Sequence, residues 1–210
     1  MNKKLYIIGA RGCGREVYNF YLECRQTLGD VECIGFLDDK KDALDGYEGY
    51  PPIVSSVEDF TPQDNDIFIC ALGDPIWVKH YTSIIENKGG KFISLISPHA
   101  SIGINTEIGA GSIVPGWTVI SSDVKLGKHT YVGVFCDIGH DVRMGDCCHV
   151  GAYTFMGGGA MLGNCVTCHP RVNILPHKKI GENAVLGAAS VVIRNVKANT
   201  TVFGVPAKTI

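Results

Sequence analysis

Residues 102–151 read IGINTEIGAGSIVPGWTVISSDVKLGKHTYVGVFCDIGHDVRMGDCCHVG, and an aliphatic residue returns at every sixth position: Ile102, Ile108, Val114, Ile120, Leu126, Val132, Ile138, Met144 and Val150. The period continues through Met156, Leu162, Cys168, Ile174, Ile180, Leu186, Val192 and Ala198 without a slip. Glycine follows directly at many of these, as at Gly103, Gly109, Gly127, Gly133, Gly139, Gly145 and Gly151, and small residues recur four places on, at Thr106, Ser112, Thr118, Thr130, Thr154 and Ser190. A strict six-residue period predicts a parallel β-helix. Three edges close a triangular coil of about eighteen residues, so each aliphatic stacks on its equivalent one coil away, and glycine relieves the corner where a side chain would clash. The seventeen repeats give nearly six coils. A β-sandwich of short strands would instead show period two and irregular turn clusters.

Ahead of this stretch the chain alternates strand and helix. KKLYIIG at residues 3–9 reads as a buried strand running into the turn GARGCGREV, after which Val17, Phe20, Tyr21 and Cys24 recur at helical spacing. A second strand, ECIGFLDD at 32–39, ends on Asp38 and Asp39, and a third, DIFICALGD, ends on Gly73 and Asp74. The helix IWVKHYTSIIENKGG and a last strand FISLIS complete a β/α unit, and Pro98 marks the handover to the coils. The expected domains are therefore 1–97, Rossmann-like and α/β, and 98–210, the β-helix.

Composition narrows the function classes. The formal net charge is -2, from 19 basic and 21 acidic residues, with no Lys/Arg run longer than two, which argues against nucleic acid and against a polybasic membrane surface. Nine cysteines without framework spacing fit a reducing compartment, and the apolar run after Lys3 and Lys4 is too short for a signal segment or a membrane span. The expected setting is the cytoplasm and the expected ligands are small molecules.

The glycine turn places Gly9, Gly12 and Gly14 at G-x-x-G-x-G spacing and not at the G-x-G-x-x-G of the dinucleotide fingerprint. A helix N-terminus beside glycines still offers N–H groups and a positive dipole end to a phosphate, so the turn reads as a nucleotide cradle or as a tight turn without a ligand. Asp38 and Asp39 stand where ribose or base contacts arise in such sheets, or else they form a solvated turn.

The order of these parts resembles the nucleotide-sugar acyltransferases that include sialic acid O-acetyltransferases and the bacillosamine-pathway N-acetyltransferase. The matching stretches are GARGCGREV, FLDD, CALGD, the IGHDVRMGDCCHVG block, MGGGAMLG and the terminal FGVPAK. The resemblance implies a left-handed prism, a homotrimer, and acetyl-CoA as co-substrate with no metal. It further implies His140 as catalytic base supported by Asp141, His149 near the acetyl group, and Gly158 as a backbone oxyanion donor. Acetyl-CoA is expected along the coil groove, reached also by Gly204 and Lys208 of the C-terminal segment. The nucleotide part of a sugar substrate is expected on Gly9, Gly12, Cys13, Gly14, Asp38, Asp39, Gly73 and Asp74. Cys13 stands where the family commonly has histidine, and Gly133 where it commonly has asparagine.

The chemistry suits an imidazole, because an acceptor amine or hydroxyl must lose a proton as it attacks a thioester carbonyl. No Ser or Cys nucleophile is required, so direct transfer through a ternary complex is expected. His140 and His149 are nine residues apart, half a coil, so they face opposite ways on one prism and serve one site only across neighbouring subunits. Two other readings remain open at this stage. One is a γ-carbonic-anhydrase-like zinc enzyme, although its closely spaced histidine pair has no counterpart here. The other is a non-enzymatic trimeric scaffold carrying a ligand-binding domain.

Overall fold

The computed structural model describes residues 3–210; residues 1 and 2, on which the expected first domain opens, lie outside the described residues. The chain divides into two compact units, Met1–Leu95 and Ile96–Ile210.

The first unit is a parallel sheet flanked by helices. Its elements are β1 (Lys3–Ile8), α1 (Gly12–Leu28), β2 (Val31–Leu37), β3 (Ile53–Ser55), β4 (Asp66–Cys70), α2 (Pro75–Asn87) and β5 (Lys91–Phe92). The strand order is β3-β2-β1-β4-β5 with every pair parallel. The order therefore reverses between β1 and β4, and the crevice at their carboxyl ends is where such sheets take ligands. Leu5, Ile7, Phe36, Phe68 and Ile69 are fully buried, which is why these strands read as continuous apolar runs. Helix α1 packs through Gly14, Val17, Tyr21 and Cys24. The Tyr21 hydroxyl donates to Val31 O at 3.0 Å and accepts from Cys33 N at 3.1 Å, so this buried phenol is satisfied.

The second unit is a left-handed parallel β-helix. Two-residue strands stack into three faces. The first face carries strands closing on Ile102, Ile120, Ile138, Met156, Ile174 and Val192, and the second those closing on Ile108, Leu126, Met144, Leu162 and Ile180. The third face opens with Leu95–Ile96, continues through Val114, Val132, Val150, Cys168 and Leu186, and ends in Thr201–Phe203 with Lys208–Thr209 added antiparallel. The segment FISLIS is thus divided: Lys91–Phe92 pairs in the α/β sheet and Leu95–Ile96 in the third face.

Each repeat residue pairs with its equivalent one coil on, as in Ile120, Ile138 and Met156. The register slips once. Ile180 bridges Val196 and Leu186 pairs with Val202, so the last coil is two residues short and Ala198, expected in the stack, is exposed. Where glycine follows a repeat residue it lies close against the neighbouring coil: a Cβ at Gly109 would lie 2.5 Å from the Gly127 carbonyl carbon. Of the recurring small residues, Thr106, Ser112, Thr118 and Thr130 donate to a backbone oxygen of the next coil, as Thr118 Oγ1 does to Gly133 O at 2.8 Å. Cys136 and Cys148 take the same role, with Sγ to Gly151 O at 3.2 Å and to Gly163 O at 3.1 Å. These thiols are hydrogen-bonded core residues. Each buried aliphatic in the stack contributes roughly 1.5–3 kcal/mol, the worth of removing such a side chain from water.

Candidate active site

In the first unit, chain geometry at the end of β1 builds a cleft. Gly9 has φ 93, a conformation that favours glycine, and its N–H donates to Leu37 O at 2.8 Å, tying β1 to the end of β2. Gly14 lies against the Gly9 carbonyl so closely that any Cβ would overlap it, so α1 starts directly on the strand end. Asp38 is buried, and both its oxygens are committed: Oδ2 accepts from Ala10 N at 2.8 Å and Oδ1 from Lys40 N at 2.9 Å. It braces the two turns. Asp39 is exposed, with the Arg11 guanidinium 3.8 Å away. Asp74 caps α2 by accepting from Ile76 N at 2.9 Å, with Pro75 in the first turn.

The cleft so formed has a volume of about 510 Å³ and is lined by Gly9, Cys13, Asp38, Asp39, Gly73 and Asp74 among the expected residues. Gly12 and Gly14 do not line it: Gly14 is buried beneath and Gly12 opens the helix. Burial pushes the Cys13 thiol up to about 11, with Glu16 adding to the effect, so Cys13 offers the cleft a neutral S–H. Arg11, Glu58, Trp77 and Tyr81 also line it and were not singled out from the sequence. A signal existed for the aromatic pair, since α2 buries Pro75, Val78, Thr82 and Ile85, and Trp77 and Tyr81 fall outside that stripe, four residues apart on one face.

In the second unit, His140 and Asp141 sit on the corner between the first and second faces. Asp141 has φ 60, and its Oδ2 lies 2.8 Å from His140 Nδ1. With Nδ1–H donating to the carboxylate, Nε2 is left as the acceptor. One coil on, the ring covers Gly158: a Cβ there would stand 2.6 Å from Nε2 and 2.7 Å from Cε1. Gly159 N–H is taken by His140 O at 2.9 Å, whereas the Gly158 N–H meets no acceptor among the described residues. The corner therefore presents a carboxylate-held imidazole above a bare backbone.

His149 begins a strand of the third face, which lies opposite that corner. Its ring stacks on Tyr131 with centroids 4.9 Å apart and planes at 7°. Burial, then the neighbouring His169, hold its pKa below the ordinary histidine value. Gly204 and Lys208 belong to the closing hairpin: Gly204 N donates to Ser190 Oγ at 3.0 Å, and Lys208 pairs with Phe203. Within one chain the fold thus brings His140, Asp141 and Gly158 together, places His149 on the opposite face, and leaves Gly204 and Lys208 nearly three coils further along. Among the described residues no three His, Cys, Asp or Glu side chains are grouped to hold a metal ion, and no helix is long and apolar enough to cross a membrane.

A further feature was not anticipated. The corner between the third and first faces carries Trp117, Phe135 and Tyr153, one per coil and all exposed. Trp117 stacks on His99 at 5.6 Å and Phe135 on Tyr153 at 5.1 Å, with the Arg171 guanidinium 5.7 Å from the Tyr153 ring centre.

Comparison with known proteins gives the following similarities. Residues 4–81 match the family described as the PglD N-terminal domain. Among solved structures, PerB from Caulobacter crescentus in complex with CoA and GDP-perosamine superposes with a TM-score of 0.87 at 22% identity, covering 100% of this chain and 98% of that one. The acetyltransferase domain of PglB from Neisseria gonorrhoeae, in complex with acetyl coenzyme A, gives 0.88 at 23% identity, with 100% of both chains covered. WeeI from Acinetobacter baumannii gives 0.73 at 25% identity, covering 99% of this chain and 100% of that one. Among curated proteins no sequence match was found.

Proposed function

We propose, from the match of residues 4–81 to the PglD N-terminal domain and the left-handed hexapeptide prism that follows in this chain, that the protein transfers an acyl group, acetyl in the first instance, from acyl-CoA to an amino or hydroxyl group of a nucleotide-linked sugar. The observation that carries the reading is the His140 imidazole, held at Nδ1 by Asp141 and lying over the Gly158 backbone. The relatives' complexes with CoA, GDP-perosamine and acetyl coenzyme A support both substrate classes.

In the proposed reaction the acceptor nitrogen or oxygen attacks the thioester carbonyl while His140 Nε2 takes its proton. The Gly158 N–H donates to the developing oxyanion, a role in which a fixed donor is worth more than it is in water. Collapse of the tetrahedral intermediate breaks the C–S bond, and the imidazolium returns its proton to the departing CoA thiolate. Residues 1–97 hold the nucleotide on the cleft, with Gly12 and Gly14 shaping the turn beneath it. Residues 98–210 carry the transfer, with Gly204 and Lys208 at the far end of an extended donor.

Because His149 lies on the face opposite His140, the site takes its second histidine from a neighbouring copy, and a homotrimer supplies three such sites. The exposed Trp117, Phe135 and Tyr153 column, with Phe155 and Val119 beside it, gives an apolar seam for that neighbour to cover. Among the described residues none of the nine cysteines forms a disulfide, which suits a reducing compartment, the cytoplasm.

The test is His140→Ala. Its kcat for acetyl transfer should fall roughly 100- to 10,000-fold, the usual worth of a positioned base, with acetyl-CoA affinity nearly unchanged. Light scattering on both proteins should give a trimeric mass. Wild-type rates in the variant, or a monomer that retains full activity, would overturn the assignment.

A further inference from the structure

Helix α2 carries aromatic rings that its own packing does not use. Its buried stripe is Pro75, Val78, Thr82 and Ile85, yet Trp77 is 52% exposed. The indole lies nearly parallel to the Tyr81 ring, 5.8 Å between centroids and 27° between planes, and the His80 ring meets it edge-on at 5.6 Å. His80 in turn meets Tyr81 at 5.0 Å and 70°, so the three rings hold one another in place on the helix surface. Trp77 and Tyr81 both line the 510 Å³ cleft. A large, pre-ordered aromatic surface left in water gains the chain little on folding and is suited to covering a flat apolar partner.

The same cleft carries acidic side chains. Asp39 and Glu58 line it, and both lie near enough to the Tyr81 phenol to help burial raise its pKa. Two carboxylates disfavour a phosphate beside them, but they accept hydrogen bonds from neutral N–H groups. The start of α1, which lines the same cleft through Cys13, is suited to an anion, whereas the Arg11 guanidinium lies 3.8 Å from Asp39 and partly offsets that carboxylate. Gly73 also lines the cleft, with an ordinary φ and nothing within 4 Å of where a Cβ would stand. The fold alone does not require glycine there, whereas a ligand passing close to the backbone would.

We infer that Trp77, backed by Tyr81, is the stacking platform for the nucleobase of the bound nucleotide, with Asp39 and Glu58 receiving the N–H edge of the base and the diphosphate directed to the start of α1. This rests on the nucleotide-sugar reading and adds the orientation of the ligand and the residue that recognises its base. A uracil or guanine, each with a ring N–H, fits this chemistry. The sugar then leaves the cleft from the diphosphate end.

The chain contains two tryptophans, so fluorescence can isolate the platform. UDP and GDP, titrated separately into the wild-type protein, should quench emission, and in Trp77→Phe the quench should vanish while calorimetry still shows binding of the same nucleotide. Trp77→Ala should weaken that nucleotide roughly 5- to 150-fold, the worth of one base–aromatic stack, with an unchanged melting temperature. Hexose 1-phosphate should leave Trp77 emission unaltered. Undiminished nucleotide affinity in Trp77→Ala would overturn the platform and leave the nucleotide-sugar reading standing. Quenching by hexose 1-phosphate as strong as by the nucleotides would assign the rings to the sugar instead. Failure of the wild-type protein to bind either nucleotide would overturn both.

Discussion

The His140 ring occupies the space that a side chain at position 158 would need: a Cβ on Gly158 would stand 2.6 Å from Nε2. Gly158→Ala must therefore push the imidazole off its position above the backbone, since the methyl cannot yield. Misplacing a catalytic group by about 1 Å costs roughly 100-fold in rate, and kcat should fall by that order. Residue 158 has no left-handed backbone requirement, so circular dichroism and the mass in solution should stay unchanged. An alanine variant of full activity would show that the ring is free to work from elsewhere.

Asp38 and Asp39, adjacent in sequence, should separate experimentally. Asp38→Ala strands the buried amide of Ala10 and removes the acceptor of the Lys40 amide, which should cost about 1–3 kcal/mol of stability and lower the melting temperature. Asp39→Ala removes an exposed carboxylate; it should stay within about 0.5 kcal/mol of the wild type yet weaken nucleotide binding in calorimetry. A reversal of the two outcomes would exchange brace and contact.

His149 ties stability to pH. Burial and His169 hold its pKa below the unfolded value, so on acidification the unfolded chain takes the proton first. Its contribution is full above the unfolded pKa of about 6.5 and is lost as the pH falls from there toward the lower folded value. Between pH 7.5 and 5 the melting temperature of the wild type should drop more steeply than that of His149→Gln, which cannot titrate. Parallel curves for the two proteins would remove His149 as the cause.

Thiol reactivity should be low in the folded protein. Burial raises Cys13 and Cys136 to about 11 and Cys33 and Cys148 to about 12, so the reactive thiolate is scarce at neutral pH. Ellman's reagent at pH 7.5 should titrate these four slowly in buffer, and all nine cysteines promptly in guanidinium chloride. Rapid reaction at Cys13, mapped by mass spectrometry, would mean that the cleft opens more widely than its lining implies.

The prism was legible because its signal is redundant. Every coil repeats the same demand, so Ile120, Ile138 and Met156 announce each other eighteen residues apart. The shortened last coil was not, since Val196 competes with Ala198 only once and no later repeat corrects the count. In the first unit the glycine turn marked the cleft, but the sequence could not divide Gly9 and Gly14, required by the backbone, from Gly73, which is not. Nor could it show that Asp38 and Asp74 spend their oxygens on amides of the chain itself. The exposed Trp117, Phe135 and Tyr153 sit in left-handed corner positions outside the aliphatic period, so a search for buried residues passes over them.

Stacked coils touch only their neighbours, so opening begins at an end and travels inward one rung at a time. His140, His149 and Gly158 lie on rungs with paired strands on both sides, and the hydrogen-bonded strand amides there, such as His149 N donating to Val166 O at 2.9 Å, should be among the slowest in the prism to exchange with solvent. The terminal hairpin at Phe203 and Lys208 closes one end of the stack. On the proposed reading, fraying of that hairpin would loosen the grip on an extended donor well before it disturbed the base. Partial melting should thus appear first as weakened coenzyme retention, with the catalytic corner still intact.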